Sequence, residues 1–174
     1  MAMDLQQTRY LDFKALSLYC YRVASVVGLL AAEIFGYQDR KTQKYAHDLG
    51  LAFQLTNIIR DVGEDARMGR IYLPIDELQR FGVPAADILN ARHSDNFRRL
   101  MEFQIERAEG YYAQAIDELP AIDRRAQRPG LMMAAIYRTL LDEIRRDGCQ
   151  VLTQRTSLTP IRKLWIAWRT WVSG

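Results

Sequence analysis

Residues 49–74 read LGLAFQLTNIIRDVGEDARMGRIYLP. As a helix, this stretch puts Asn57, Asp61 and Asp65 at i, i+4 and i+8, stacked on one face. Gln54 lies one turn earlier at the edge of that face, and Leu51, Leu55, Ile58, Ile59 and Val62 fall mainly on the other side. A mostly buried helix thus carries a row of oxygen ligands, two of them carboxylates. Burying carboxylates is costly unless cations or hydrogen-bond donors neutralise them. Oxygen-only ligation suits Mg²⁺, which keeps waters and takes phosphate oxygens from a substrate. Arg60, Arg67 and Arg70 interleave with the acids, as a site for a metal-bound diphosphate or triphosphate requires. The same spacing also suits a solvated helix end laced with weak i,i+4 ion pairs.

The bulk properties narrow the class. At 174 residues, the chain has the length of one domain with a real core. Its 49% hydrophobic and 26% charged residues are ordinary for a globular protein. A net charge of +3, spread along the chain, gives no footprint for nucleic acid. Cys20 and Cys149 lie far apart in helix-like surroundings, which suits reduced thiols in a cytoplasmic protein. No Cys/His spacing for zinc occurs. The opening MAMDLQQTRY lacks the apolar core of a signal peptide, and no unbroken run of 18 apolar residues predicts a membrane-spanning helix.

Taken in order, the chain reads as all-α, with about six helices and no β alternation. Asp12 caps a helix to about Phe35, with Gly36 as its stop. Cys20, Ala24 and Gly28 form a small-residue line on it, flanked by Val23, Val27 and Leu30, open to close helix packing or to a ligand chain. Asp39 starts the acidic helix, which runs to about Asp65, and Gly63 predicts fraying or a bend. Residues 66–73 form a loop with two arginines and Tyr72, either a lid over phosphate or a plain connector. Short helices follow at 74–81 and 87–91, then long ones at about 95–119 and 130–147. The arginines at 124, 125 and 128 read as a solvated basic loop. His47 and His93 stand alone and read as structural or surface residues. The final helix, from Pro160, places Trp165, Trp168 and Trp171 beside Arg162, Lys163 and Arg169. Such a stripe suits core packing or a membrane interface.

Two segments carry a family resemblance. Tyr19-Cys20-Tyr21-Arg22-Val23-Ala24-Ser25-Val26-Val27-Gly28 resembles the first signature of the squalene and phytoene synthases, although Ala31 stands where Leu, Met, Ser or Cys is commoner. Leu49 to Pro74 resembles the second signature, at Leu49-Gly50, Gln54, Asn57, Arg60-Asp61, Asp65, Arg70, Tyr72 and Pro74. Within the family the wording is most similar to the presqualene-diphosphate-forming members of bacterial hopanoid biosynthesis. The resemblance implies an all-α isoprenoid-synthase bundle around a central cavity. It implies Mg²⁺-dependent head-to-head (1′-1) condensation of two farnesyl diphosphates, with no NADPH needed for that step. Metal draws diphosphate off the donor, and the acceptor double bond attacks the allylic cation to close a cyclopropane. By the same resemblance Asn57, Asp61 and Asp65 hold metal. Arg60, Arg70 and Tyr72, with Tyr137 and Arg155, hold diphosphate. Tyr19 and Gln54 line the reacting end, and Val23, Ala24, Val27 and Gly28 wall the prenyl channel. The chemistry agrees: ionising an allylic diphosphate needs a neutralised leaving group, and the cation needs a dry apolar cavity.

One departure matters. The family carries an earlier DxxxD motif, and none precedes Tyr19, since Asp4 and Asp12 lack that spacing. The expectation is a single partial domain over residues 1–174, with the N-terminal helices missing, apolar faces exposed, and little or no activity alone. The rivals are a phytoene synthase joining two geranylgeranyl diphosphates and a non-catalytic helical scaffold. A cytoplasmic chain touching the inner membrane through residues 160–174 completes the expectations.

Overall fold

The computed structural model describes residues 8–173, apart from the Ser173 side chain; Asp4 lies outside the described residues. Among the described residues, five long helices and two short ones carry the fold, and none forms a strand. We label them α1 (Phe13–Phe35), α2 (Lys41–Arg67), α3 (Ile75–Arg80), α4 (Ala85–Leu89), α5 (Asp95–Glu118), α6 (Arg128–Arg146) and α7 (Pro160–Ser173). The arginines at 124 and 125 are exposed as expected, whereas Arg128 is the first residue of α6.

Local chemistry sets the ends. The Asp12 carboxylate accepts from the Ala15 N–H at 2.8 Å and opens α1. Gly36, at φ +82°, closes it in a conformation that side chains resist. Ser94 caps α5 by accepting from the Phe97 N–H at 3.1 Å. The start of α2 is capped from far away. Asp39 accepts locally from the Lys41 N–H, while Asp123 accepts from the Gln38 and Asp39 N–H groups (2.7 and 3.0 Å) and from the Thr42 hydroxyl (2.7 Å).

Helix α2 is the axle. Ser25 lies in a π turn at Tyr21–Ser25 within α1, and its hydroxyl donates to the His47 carbonyl of α2 at 2.9 Å. The two helices cross so closely that a Cβ on Gly50 would come within 2.7 Å of the Ser25 Cα. One on Gly28 would meet the Ala46 carbonyl oxygen at 2.6 Å. The small-residue line therefore serves packing, at Gly28 at least. On its other flank α2 packs against α5, where the buried Thr56 and Tyr112 hydroxyls share a hydrogen bond of 2.9 Å. Leu55, Ile59, Leu100, Met101, Ile105 and Ala108 belong to the same buried core. Burial of each large side chain in such a core contributes roughly 1.5–3 kcal/mol.

Two expectations change. Gly63 does not fray the helix: α2 runs unbroken to Arg67. A Cβ there would lie 2.4 Å from the Leu152 carbonyl oxygen and 2.5 Å from that of Val151, so the glycine is the seat for the connector after α6. Second, α1 is long and apolar enough to cross a membrane by length and composition, although it contains no unbroken apolar run of that length. Here it packs on α2, and Val27, Leu30 and Ile34 remain exposed.

Candidate functional site

The acidic face of α2 lies where the connector 149–158 meets it. Gly63 N–H donates to the Val151 carbonyl at 3.1 Å. His93 Nε2 donates to the Cys149 carbonyl at 2.9 Å, and Cys149 takes a positive φ of 57°. With Val151 and Leu152 buried, the chain beyond them is delivered over α2. Arg155 Nε then donates to Asp61 Oδ1 at 3.0 Å and lies 3.6 Å from Glu64. Arg60 holds the same carboxylate from within α2, through Nε to Oδ1 (2.8 Å) and Nη2 to Oδ2 (2.6 Å). Asp61 is thereby doubly neutralised.

Its neighbours are not. The Asn57 Oδ1 atom is buried with no hydrogen-bond partner. Burial, then the negative charge of Asp61, push the Asp65 carboxyl up to about 6, against the opposing pull of Arg70. The Arg60 guanidinium holds its proton more tightly, first through its hydrogen bonds to Asp61, and Tyr137 adds to the effect.

Beside this row lies a cavity of about 360 Å³ whose wall includes Arg60, Tyr137, Arg155, Thr156, Ser157 and Lys163, with Met133, Ile136, Leu140 and Leu158. Cations, hydroxyls and apolar side chains in one pocket suit an anion with a hydrocarbon tail. Met133 also lines a second, apolar cavity of about 180 Å³ between α1, α2 and α6, walled by Gly28, Ala31, Ala32, Phe35, Tyr45, Leu49 and Phe53.

The residues singled out from sequence divide accordingly. Asn57, Arg60, Asp61, Asp65, Arg70, Tyr137 and Arg155 come together around the C-terminal half of α2. Gln54 sits one turn earlier, partly buried. Gly28 walls the apolar cavity; Val23 packs against the core, Ala24 sits against Gly50, and Val27 is 60% exposed, away from that wall. Tyr19 and Tyr72 are buried and stack at 5.4 Å, with Tyr10 closing an aromatic trio. The Arg9–Ile71 bridge secures the loop that carries Tyr72. In this arrangement Tyr72 anchors that loop.

Lys163, Thr156 and Ser157 were not foreseen as cavity residues. Lys163 lies in phase with the buried Ile166 and the partly buried Thr170, so its helical position puts it on the cavity wall although the residue is exposed. Reading it only as part of a basic tail hid that phase.

The family model described as squalene/phytoene synthase matches residues 1–162. The chain belongs to that family. Among curated relatives, the phytoene synthase of Arthrospira platensis is 42% identical over 175 residues, covering 93% of this chain and 57% of its own length. The chloroplastic phytoene synthase 3 of Zea mays is 42% identical over 170 residues, covering 94% and 40%. Among solved structures, a dehydrosqualene synthase in complex with ligand superposes with a TM-score of 0.88 at 30% identity, over 98% of this chain and 60% of that one. The squalene synthase HpnC from Alicyclobacillus acidocaldarius superposes with a TM-score of 0.74 at 27% identity, over 84% and 56%. The chain spans about half the length of the curated relatives it matches. The isoprenoid-synthase-type all-α fold read from the resemblance is the observed one.

The donor set of this squalene/phytoene synthase chain can be judged against a divalent cation. No cluster of three His, Cys, Asp or Glu side chains occurs among the described residues. The set is instead one amide and two carboxylates. Asn57 Oδ1 lacks a donor and Asp65 is raised by burial and like charge; a hard cation relieves both conditions. Asp61 is covered by two guanidiniums, and Oδ2, which accepts only from Arg60, is the oxygen it has left to offer the set. The residues fit Mg²⁺ that completes its shell with water and phosphate oxygens.

Proposed function

We propose that this chain supplies the diphosphate-ionising half of a Mg²⁺-dependent enzyme that joins two prenyl diphosphates head to head. The observation that carries the reading is the pairing, on one helix, of an orphaned amide oxygen and a raised carboxylate with a cationic cavity joined to the row through Arg60 and Arg155, the two guanidiniums on Asp61. Bound metal supplies Lewis-acid stabilisation of the departing diphosphate. Asn57, Asp61 and Asp65 are the residues that would hold it. Arg60, Arg155 and Lys163 orient the diphosphate and offset its charge. Tyr137 lines the same cavity, and the apolar cavity by Gly28 and Phe53 excludes water from the hydrocarbon and from the allylic cation.

The names of the curated relatives favour geranylgeranyl diphosphate, joined to phytoene, over the farnesyl diphosphate first expected. Likeness to HpnC and to a dehydrosqualene synthase keeps the farnesyl reading as the second one.

Two measurements test the proposal. Calorimetric titration with inorganic pyrophosphate should show binding that requires Mg²⁺ and is weakened at least about tenfold by Asp65→Asn, the loss of one charged ligand. Pyrophosphate binding indifferent to both Mg²⁺ and Asp65 would remove the basis of the reading. Competition of each prenyl diphosphate against pyrophosphate then separates the two substrates: tighter Mg²⁺-dependent binding of the longer one supports the first reading, of the shorter one the second.

A further inference from the structure

All three tryptophans of the chain lie on α7. Trp165, Trp168 and Trp171 are 53%, 63% and 53% exposed. At about 3.6 residues per turn they share one arc with Ile161, Leu164 and Val172, which are also more than half exposed. Ile166, on the opposite side, is buried against the body of the fold. Thus α7 packs by one edge and presents six large apolar side chains outward over its whole length. Isolated exposed apolar residues are ordinary, but a continuous aromatic face of this kind marks a contact surface.

The charges around the face say what contact it suits. Helix α7 contains no acidic residue and carries Arg162, Lys163 and Arg169. The Arg169 guanidinium lies 4.9 Å from the centre of the Trp165 ring, and Arg128 of α6 lies 5.1 Å from that of Trp171. Cations are therefore held at the rim of the aromatic face, where they meet anionic headgroups while the indoles sit at the boundary with the acyl chains. Arg162 is shared with Glu143 at 2.7 Å. The exposed face of α1 makes the contrast: Val27, Leu30 and Ile34 are aliphatic, Glu33 lies among them, and no tryptophan is present.

We propose that α7 is an interfacial helix that docks the chain on an anionic lipid bilayer, its tryptophan face at the headgroup–acyl boundary and Arg169 and Arg128 against lipid phosphates. Lys163 projects from the other edge of α7 into the cavity beside Arg60 and Arg155. If that cavity takes prenyl diphosphates, one helix then carries the lipid-facing stripe on one side and a cavity residue on the other.

The test uses the full chain and vesicles of phosphatidylcholine, with or without phosphatidylglycerol. Every tryptophan is on α7, so tryptophan emission, excited selectively over tyrosine, reports this helix alone. The chain should float with anionic vesicles at least about tenfold more than with neutral ones, with a blue shift in emission and a loss of binding at high salt. Trp168→Glu, an exposed substitution, should abolish flotation while circular dichroism and Mg²⁺-dependent pyrophosphate binding stay unchanged. Absence of flotation on anionic vesicles overturns the proposal, and so does flotation that Trp168→Glu leaves intact. A lipid-free dimer, with blue-shifted emission that Trp168→Glu turns into monomer, also overturns it and assigns the face to a second copy. Loss of pyrophosphate binding in the unaltered chain would count against the proposed function and leave this inference standing.

Discussion

Asp123 and Asp65 are both drawn out of water, and the fold treats them in opposite ways. Around Asp123, burial alone would raise the carboxyl, but the Thr42 hydroxyl and the Gln38 and Asp39 N–H groups outweigh it and hold the group below its ordinary value. Around Asp65, burial and the charge of Asp61 raise the carboxyl to about 6, and Arg70 offsets only part of this. The first carboxylate is finished by the protein itself and stabilises it. The second is left wanting a cation. A satisfied acid of this kind reads as structure and an unsatisfied one as function, because only binding completes the latter.

The largest effect expected from this contrast is at Asp123. Asp123→Ala removes the distant cap of α2 and leaves the N–H groups of Gln38 and Asp39 without acceptors. We expect a loss of about 3 kcal/mol, or roughly 6–12 °C in melting temperature for a chain of this size. Urea denaturation checks it. The folded-state pKa of Asp123 is lowered, so its contribution is present above the ordinary carboxylate range and lost as pH falls through the folded value. The deficit of the variant should therefore shrink in acid.

Asp65→Asn should move the other way. With the folded pKa raised from 3.8 to about 6, the contribution of Asp65 is fully present below pH 4 and lost as pH rises through about 6. The metal-free protein should thus lose stability across that window, and the asparagine variant should not. A shift of this size corresponds to at most about 3 kcal/mol, and to less for a group still partly open to water. At neutral pH the variant should be the more stable protein and the poorer ligand binder. Unfolding curves from pH 4 to 8 that are parallel for the two proteins would erase the distinction between Asp65 and Asp123.

Little of that distinction was legible in the sequence. Both residues appear there as aspartates beside arginines. What was legible is local: the i, i+4, i+8 row of Asn57, Asp61 and Asp65, the cap at Asp12 and the glycine stop at Gly36 all depend on neighbours within a turn. The cap from Asp123 spans more than 80 residues, and no periodicity signals it. Lys163 was missed because its role depends on which side of α7 meets the cavity. The resemblance assigned Tyr72 to diphosphate; the stacking of its ring with Tyr10 and Tyr19, partners remote in sequence, is signalled by no local pattern. Gly63 was read for its propensity alone. Its actual constraint is the backbone of residues 151 and 152.

The smallest effect, and the most specific, concerns that glycine. Gly63→Ala places a methyl group against two carbonyl oxygens, so the connector must lift from α2. Alanine favours the helix by up to about 1 kcal/mol, which offsets part of the 1–3 kcal/mol typical of such overpacking. The net stability change should be small. The connector carries Arg155 to Asp61, so the variant should strip Asp61 of one of its two guanidiniums and bring it closer to the less neutralised condition of Asp65. Pyrophosphate binding should then fall to the level of Arg155→Ala, and combining the two substitutions should cost no more than either alone. Additive losses would show that Gly63 reaches the site by a route other than Arg155. Unaltered binding in the glycine variant would mean that the connector holds Arg155 in place without its seat on α2. Either result would separate Asp61 from the long-range positioning described for it and leave Arg60, its neighbour in sequence, as the residue that neutralises it.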